Sequence, residues 1–396
     1  MKLKQQPEDF EVEELVRDLE LGWGPYAVYE LEKKSLGTLE AIEEVARHWR
    51  LAPGRIAYGG LKDRHAWTRQ HVTIYRGPRT DACLPGVRMR YLGQRQKPLS
   101  SRDLLGNRFR IVVRDLTASD VACAEQELDV VRREGVANYF DQQRFGSVTS
   151  QGEFVAKAMI QGDYERALWL ALAAPYQFDR AAQKTQKRLV RRLWGQWPLL
   201  KDSLPRGSVR SLVTYLADHP QDYRGALQRM RPEWLSLYLA AYQSYLWNEL
   251  LAEYLRTHLV PERLIAMPLR TGTIVFFRGL DENERQVLHQ VALPLPSARL
   301  RLPEADPLAA LVERVLAREG LTLRQMKLKH FRRPFFSRGQ RAAVFVPHDL
   351  TWHAGADLLN PGRRALTLQC VLAPGSYATM LIKRVQAVCF GAQHGS

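Results

Sequence analysis

Cysteine is scarce, and its placement excludes two kinds of scaffold. Cys83, Cys123, Cys370 and Cys389 are far apart and form no Cys-x-x-Cys pair, so neither a zinc site nor a disulfide framework is expected. The ten histidines are scattered, without a His-Glu-x-x-His arrangement, and no metal is expected. No apolar run approaches the ~20 residues needed to span a bilayer, which argues against a membrane protein. The start, Met1 to Glu8, turns acidic at once and lacks the apolar core of a signal peptide, so a cytoplasmic protein is expected. A Gly-rich phosphate loop and a dinucleotide fingerprint are both missing, and neither ATP nor NAD is implied. The chain has no internal repeat or low-complexity tract.

What is abundant is positive charge. The chain of 396 residues carries a formal net charge of +16 and has a pI near 9.8. That balance points to a polyanionic partner. The charge is also segregated. Residues 1–46 hold twelve acidic and five basic side chains, whereas residues 180–233 hold twelve basic and four acidic ones. Residues 321–348 hold seven basic residues and no acidic one. Nucleic acid is the expected partner. A hydrophobic content of 45% is enough for real cores, and the length favours two domains over one. A folded monomer is plausible at this length.

The N-terminal section reads as mixed α/β. Phe10–Leu15 alternates apolar and acidic residues, as a half-exposed strand does, and Tyr26–Glu32 is a second strand candidate. Thr38 is placed to cap a helix with an apolar stripe of Leu39, Ile42, Val45, Ala46 and Trp49. Residues 76–107 read as a basic loop or hairpin. Arg108–Arg114 is a strand, followed by a helix with Val121, Ala124, Leu128 and Val131 on one face. From about 150 to 345 the spacing is mainly helical, with Gly152–Leu172, Ala181–Trp194 and Pro232–Arg256 as helices. Strand candidates recur at Thr273–Arg278, Ala342–Val346 and Ala365–Leu372, before a short helix and a loose tail after Phe390. This order suits an α+β fold with a mainly antiparallel sheet.

The most informative stretch is Gly59-Gly60-Leu61-Lys62-Asp63-Arg64-His65-Ala66-Trp67-Thr68-Arg69-Gln70. A strand precedes it and an alternating one follows, so its carboxylate is displayed on a loop. Lys62 and Arg64 flank Asp63 and favour its ionised form. The stretch resembles the Gly-x-Lys-Asp-(Arg/Lys)-x-Ala-x-Thr-x-Gln motif of the TruD family of pseudouridine synthases. Four further segments resemble the same family in the same order: Asp9–Glu14, Leu105–Phe109, Asn138–Gly146 and Pro374–Thr379. Asp141 stands where the family pattern has glycine, and Trp67 where it has a smaller Val or Ile.

The resemblance implies a pseudouridine-synthase catalytic domain over 1–146 and 345–396, interrupted by a TRUD insertion domain over 147–344 that binds RNA. It implies isomerisation of uridine in tRNA, at uridine 13 of the D arm, with Asp63 as the catalytic carboxylate and no cofactor. Phe10, Asn107 and Tyr377 are implied to contact the substrate uridine, and Lys62 to orient Asp63 or a nearby phosphate. Arg144 is read as a phosphate grip or a structural brace. The aromatic stripe Gln243–Asn248 reads as core packing. The cluster Lys327–Phe336 interleaves cations and rings, which suits an RNA backbone. A non-catalytic RNA-binding protein and a glycosidic-bond hydrolase are the alternatives.

Overall fold

The computed structural model describes residues 1–177, 179–303, 305–331 and 335–390. It divides into two compact units, one of Met1–Val136 with Phe345–Ser396 and the other of Ala137–Val344. None of its described helices is long and apolar enough to cross a membrane. The tail expected after Phe390 lies outside the described residues.

The first unit is built on a ten-stranded sheet. Its N-terminal strands are β1 (Lys2–Leu3), β2 (Phe10–Val16), β3 (Tyr26–Lys34), β4 (Ile56–Tyr58), β5 (Trp67–Tyr75), β6 (Ala82–Leu84), β7 (Val87–Arg95) and β8 (Leu104–Leu116). Two more come from the C-terminal segment, His348–Ala356 and Arg364–Leu372. The spatial order is His348–Ala356, Arg364–Leu372, β8, β2, β5, β3, β7, β6, with β1 on β8 and β4 on β5. Pairing is antiparallel except between β2 and β5. The basic 76–107 segment contains the β6–β7 hairpin and runs into the start of β8.

Helix α1 (Thr38–His48) buries Ala41, Ile42, Val45 and Ala46 against Ala27, Tyr29, Leu31, Val72 and Ile74. Two expectations about it are corrected. Gly37 is the cap, so the Thr38 hydroxyl is released for another task, and Leu39 is exposed. Helix α2 (Ala118–Glu134) buries the expected Val121, Ala124, Leu128 and Val131. The C-terminal helix Ala378–Cys389 packs on α2. Glu127 of α2 pairs with Arg384, both about 1% exposed. The absence of any disulfide is also corrected. Cys123 and Cys389 are bonded across these helices, with Cα atoms 5.6 Å apart. Their separation of 266 residues hides the pairing from local spacing, because only the sheet topology brings the helices together.

The second unit is mainly helical. The stretch Gly152–Leu172 forms two helices, Val155–Gln161 and Tyr164–Leu172, not one. Gly162 ends the first in a left-handed conformation (φ 80°) that favours glycine, and Asp163 caps the second by accepting from the Arg166 N–H at 2.9 Å. The long helix Pro232–His258 buries Tyr242, Leu246 and Trp247, as core packing requires. Its polar residues hold loops. Asn248 both accepts from the Phe140 N–H and donates to the Phe140 carbonyl at 2.9 Å.

Candidate active site

The site is assembled where the loop between β4 and β5 meets the ends of β2, β3 and β8. Side chains alternate along a strand, so residues two apart share a face. On β2 the buried face carries Phe10, Val12 and then Glu14. On β3 it carries Tyr29, Leu31 and then Lys33. Each strand therefore ends by turning a charged residue into the interior. Glu14 is 2% exposed and Lys33 is 1% exposed.

The Asp63 loop is pinned from both directions. The freed Thr38 hydroxyl accepts from the Lys62 N–H at 2.9 Å and donates to Gln70 Oε1 at 2.8 Å. Gln70 in turn donates to the Gly60 carbonyl at 3.2 Å. Lys33 Nζ donates to the Asp63 carbonyl at 2.6 Å. Glu14 Oε1 lies 2.7 Å from Lys62 Nζ, and Glu14 Oε2 accepts from the His71 N–H at 2.9 Å.

Both oxygens of the Asp63 carboxylate meet donors. The His65 N–H reaches Oδ1 at 3.0 Å, and Lys4 Nζ is paired with Oδ2. The expectation that Lys62 and Arg64 supply the flanking charge is therefore corrected. The loop bends at Arg64, so the two flanking cations part company. Lys62 turns inward to Glu14, and Arg64 reaches Glu40 at 3.0 Å. The cation at the carboxylate comes from just beyond β1. Lys4 has φ 56°, unusual for a residue with a side chain, and its ammonium sits 4.2 Å above the Phe10 ring.

Sheet register brings Asn107 level with Glu14. Asn107 on β8 lies between Glu14 on β2 and Leu372 on the strand Arg364–Leu372. A side-chain carbon at Gly106 would lie 2.4 Å from the Leu372 carbonyl oxygen, so only glycine permits this approach. Asn107 Oδ1 is buried and accepts no hydrogen bond among the described residues. Tyr377, five positions beyond Leu372, begins the C-terminal helix, and its carbonyl accepts from the Met380 N–H at 2.9 Å. Phe10 is 4% exposed and packs edge-on to Phe109 with centroids 6.0 Å apart. Its ring is thus a packed support under Lys4.

Other residues of the matched segments have structural work. Asp9 is fully buried and takes two hydrogen bonds from Arg114, which also reaches Asp357 at 2.9 Å. Asp141 caps the turn Gln142–Phe145 by accepting from the Gln142 N–H at 2.6 Å, which explains why a residue other than glycine serves there. Arg144 donates to Ser244 Oγ at 3.2 Å, a brace within the second unit. Lys4, Glu14 and Lys33 were not singled out by sequence reasoning. Parity along β2 and β3 was the available signal for the last two.

The geometry presents one carboxylate, oriented by an ammonium and an amide, and a buried amide acceptor opposite Glu14 that takes no hydrogen bond among the described residues. That set can attack or deprotonate a sugar carbon while recognising a donor on a heterocycle. The family model for tRNA pseudouridine synthase D (TruD) matches residues 1–385. A probable tRNA pseudouridine synthase D 2 of Methanocaldococcus jannaschii is 32% identical over 97% of this chain and 91% of its own. The tRNA pseudouridine synthase D of Aquifex aeolicus is 27% identical over 97% of this chain and 98% of its own. The crystal structure of a putative TruD protein from Methanosarcina mazei superposes with a TM-score of 0.70, at 25% identity, covering 98% of this chain and 93% of that one. These matches define an isomerase of the pseudouridine-synthase class with an α+β fold. The chain belongs to the tRNA pseudouridine synthase D (TruD) family.

Proposed function

We propose that this chain converts uridine to pseudouridine in tRNA, at uridine 13 of the D arm, with Asp63 as the catalytic carboxylate. The observation that carries the reading is the Asp63 carboxylate, gripped at both oxygens while its loop is anchored at three further points. The N-glycosidic bond breaks, the uracil turns in place, and its C5 bonds to the ribose carbon; the C5 proton is lost and the freed N1 gains one, so the product is an isomer. Asp63 serves either by bonding to that carbon or by removing a sugar proton. The reaction is redox-neutral and transfers no group to a second molecule, so it requires no cofactor.

An everted uridine needs a reader for its edge. The unsatisfied Asn107 Oδ1 suits the N3–H of uracil, and Tyr377 supplies an aromatic contact. Phe10 supports Lys4 and meets the substrate only through its edge. Lys62, locked to Glu14, supports the loop from beneath. We place the enzyme in the cytoplasm as a monomer, with the unit of residues 137–344 as the TRUD domain that grips the RNA backbone.

The test is incubation of an unmodified tRNA transcript with the enzyme. Pseudouridine should appear with no free uracil. Release of uracil would identify a hydrolase, and binding without modification a non-catalytic RNA-binding protein.

The cation-rich region of the second unit gives a separate expectation. Lys327 lines a cavity of about 350 Å³ with Arg299, Arg301 and Phe335, and Arg299 sits 4.5 Å over the Phe335 ring. Lys329 is exposed nearby, while Arg332, Arg333 and Pro334 lie outside the described residues. Changing Lys327 and Lys329 to Ala should weaken tRNA binding and flatten the plot of log affinity against log salt by roughly 0.7–0.9 per lost phosphate contact. An unchanged slope removes the pair from the footprint.

A further inference from the structure

Lys33 is the least ordinary residue of the site. Its side chain lies in the interior on the core face of β3, yet its one acceptor among the described residues is the Asp63 main-chain carbonyl, 2.6 Å from Nζ. Burying an ammonium without a directly paired carboxylate is unfavourable, and one neutral acceptor compensates only part of that. Its strand neighbours, Thr68 on β5 and Val87 on β7, carry no charge. The charges that face it are Asp63, already paired with Lys4, and Lys62, already paired with Glu14.

We propose that Lys33 is a positioning residue for Asp63, clamping the carbonyl of that residue so that its carboxylate meets the ribose at a fixed distance. This rests on Asp63 as the reacting carboxylate. A hydrogen bond from an ammonium is about twice as strong as one from a neutral amine, so the clamp loosens when Lys33 loses its proton. Burial pushes Lys33 down to about 8, with Asp63 opposing that shift and Lys62 adding to it. Turnover therefore declines as pH rises through the neighbourhood of 8.

Stability moves the other way. Between about pH 8 and 10 the unfolded chain keeps the proton on this lysine while the folded chain sheds it, so Lys33's contribution to stability increases with pH over that window. A residue serving only to hold the fold together would not couple a loss of turnover to a gain in stability.

The experiment measures kcat, tRNA Kd and the urea midpoint from pH 7 to 9.5 for the wild type, Lys33→Met and Lys33→Arg. Lys33→Met, which retains the chain length and lacks the charge, should lose about tenfold in kcat at pH 7 with Kd unchanged, and its kcat should lack the alkaline decline. Lys33→Arg stays protonated throughout, so its kcat should also be flat above pH 7, and it should lack the stability gain seen in the wild type. If Lys33→Met does not fold, the wild type and Lys33→Arg decide alone. Wild-type kcat and stability falling together, or a variant that keeps the alkaline decline, overturns the proposal. An Asp63→Asn enzyme that still makes pseudouridine overturns the reading beneath it instead, so the two failures are distinguishable.

Discussion

Asp63→Asn should abolish pseudouridine formation, lowering kcat by roughly 10⁴-fold or more, the scale seen when a reacting group is removed. The amide has nearly the shape of the carboxylate and still accepts from the His65 N–H, which donates to Oδ1 at 3.0 Å. It neither attacks a ribose carbon nor removes its proton. Lys4 loses its charged partner but is only partly buried, with 18% of its side chain exposed, so water takes over part of that role and the fold tolerates the change. Binding of tRNA should stay within about threefold, since phosphate contacts dominate affinity and lie elsewhere. Single-turnover assays with a filter-binding control separate the two readouts. Loss of binding in step with activity would make Asp63 a structural residue.

Glu14→Gln should destabilise the first unit by about 3–5 kcal/mol, the cost of breaking one side of a buried ion pair. The Glu14 side chain is fully buried, and that of its partner Lys62 is 6% exposed. Without the carboxylate, the buried Lys62 ammonium loses the charge it is paired with. Burial alone would raise the Glu14 pKa, but the His71 hydrogen bond and the nearby Lys62 charge outweigh that, and the result is below the ordinary 4.5. The sign follows. Glu14 contributes its stability above pH 4.5 and loses it as pH falls through the depressed value. Wild type and variant should therefore differ widely in urea midpoint at pH 7 and converge toward acid. Equal midpoints at pH 7 would refute the ion pair's role.

Much of the fold was legible because strands announce themselves by alternation. Phe10 to Leu15 showed its period, and so did Tyr26 to Glu32. The Gly152–Leu172 break was readable too, since Gly162-Asp163 places a helix terminator directly before a helix cap. The apolar spacing continues across it and masks the break. Asp63 was legible only through its motif. Lys62 and Arg64 misled because adjacency in sequence is not adjacency in space. Lys4 follows a two-residue strand whose place depends on β8, about a hundred residues away, and no local pattern encodes that. The Cys123–Cys389 bond was hidden for the same reason. Lys33 and Glu14 sat in plain view at the apolar parity of their strands, where a charge is a departure worth pursuing.

The sheet's assembly also bears on how the chain emerges from a ribosome. Strand β8 pairs on one flank with Arg364–Leu372, which is made more than two hundred residues later. At about 5–20 residues per second, that delay is on the order of ten to fifty seconds. During it, a long hydrophobic ribbon, Arg108 to Leu116, shows unpaired amides to every other nascent chain nearby. Arg108 and Arg110, paired with Glu13 and Glu11 of β2, keep charged groups beside that open border and discourage two such half-made sheets from joining.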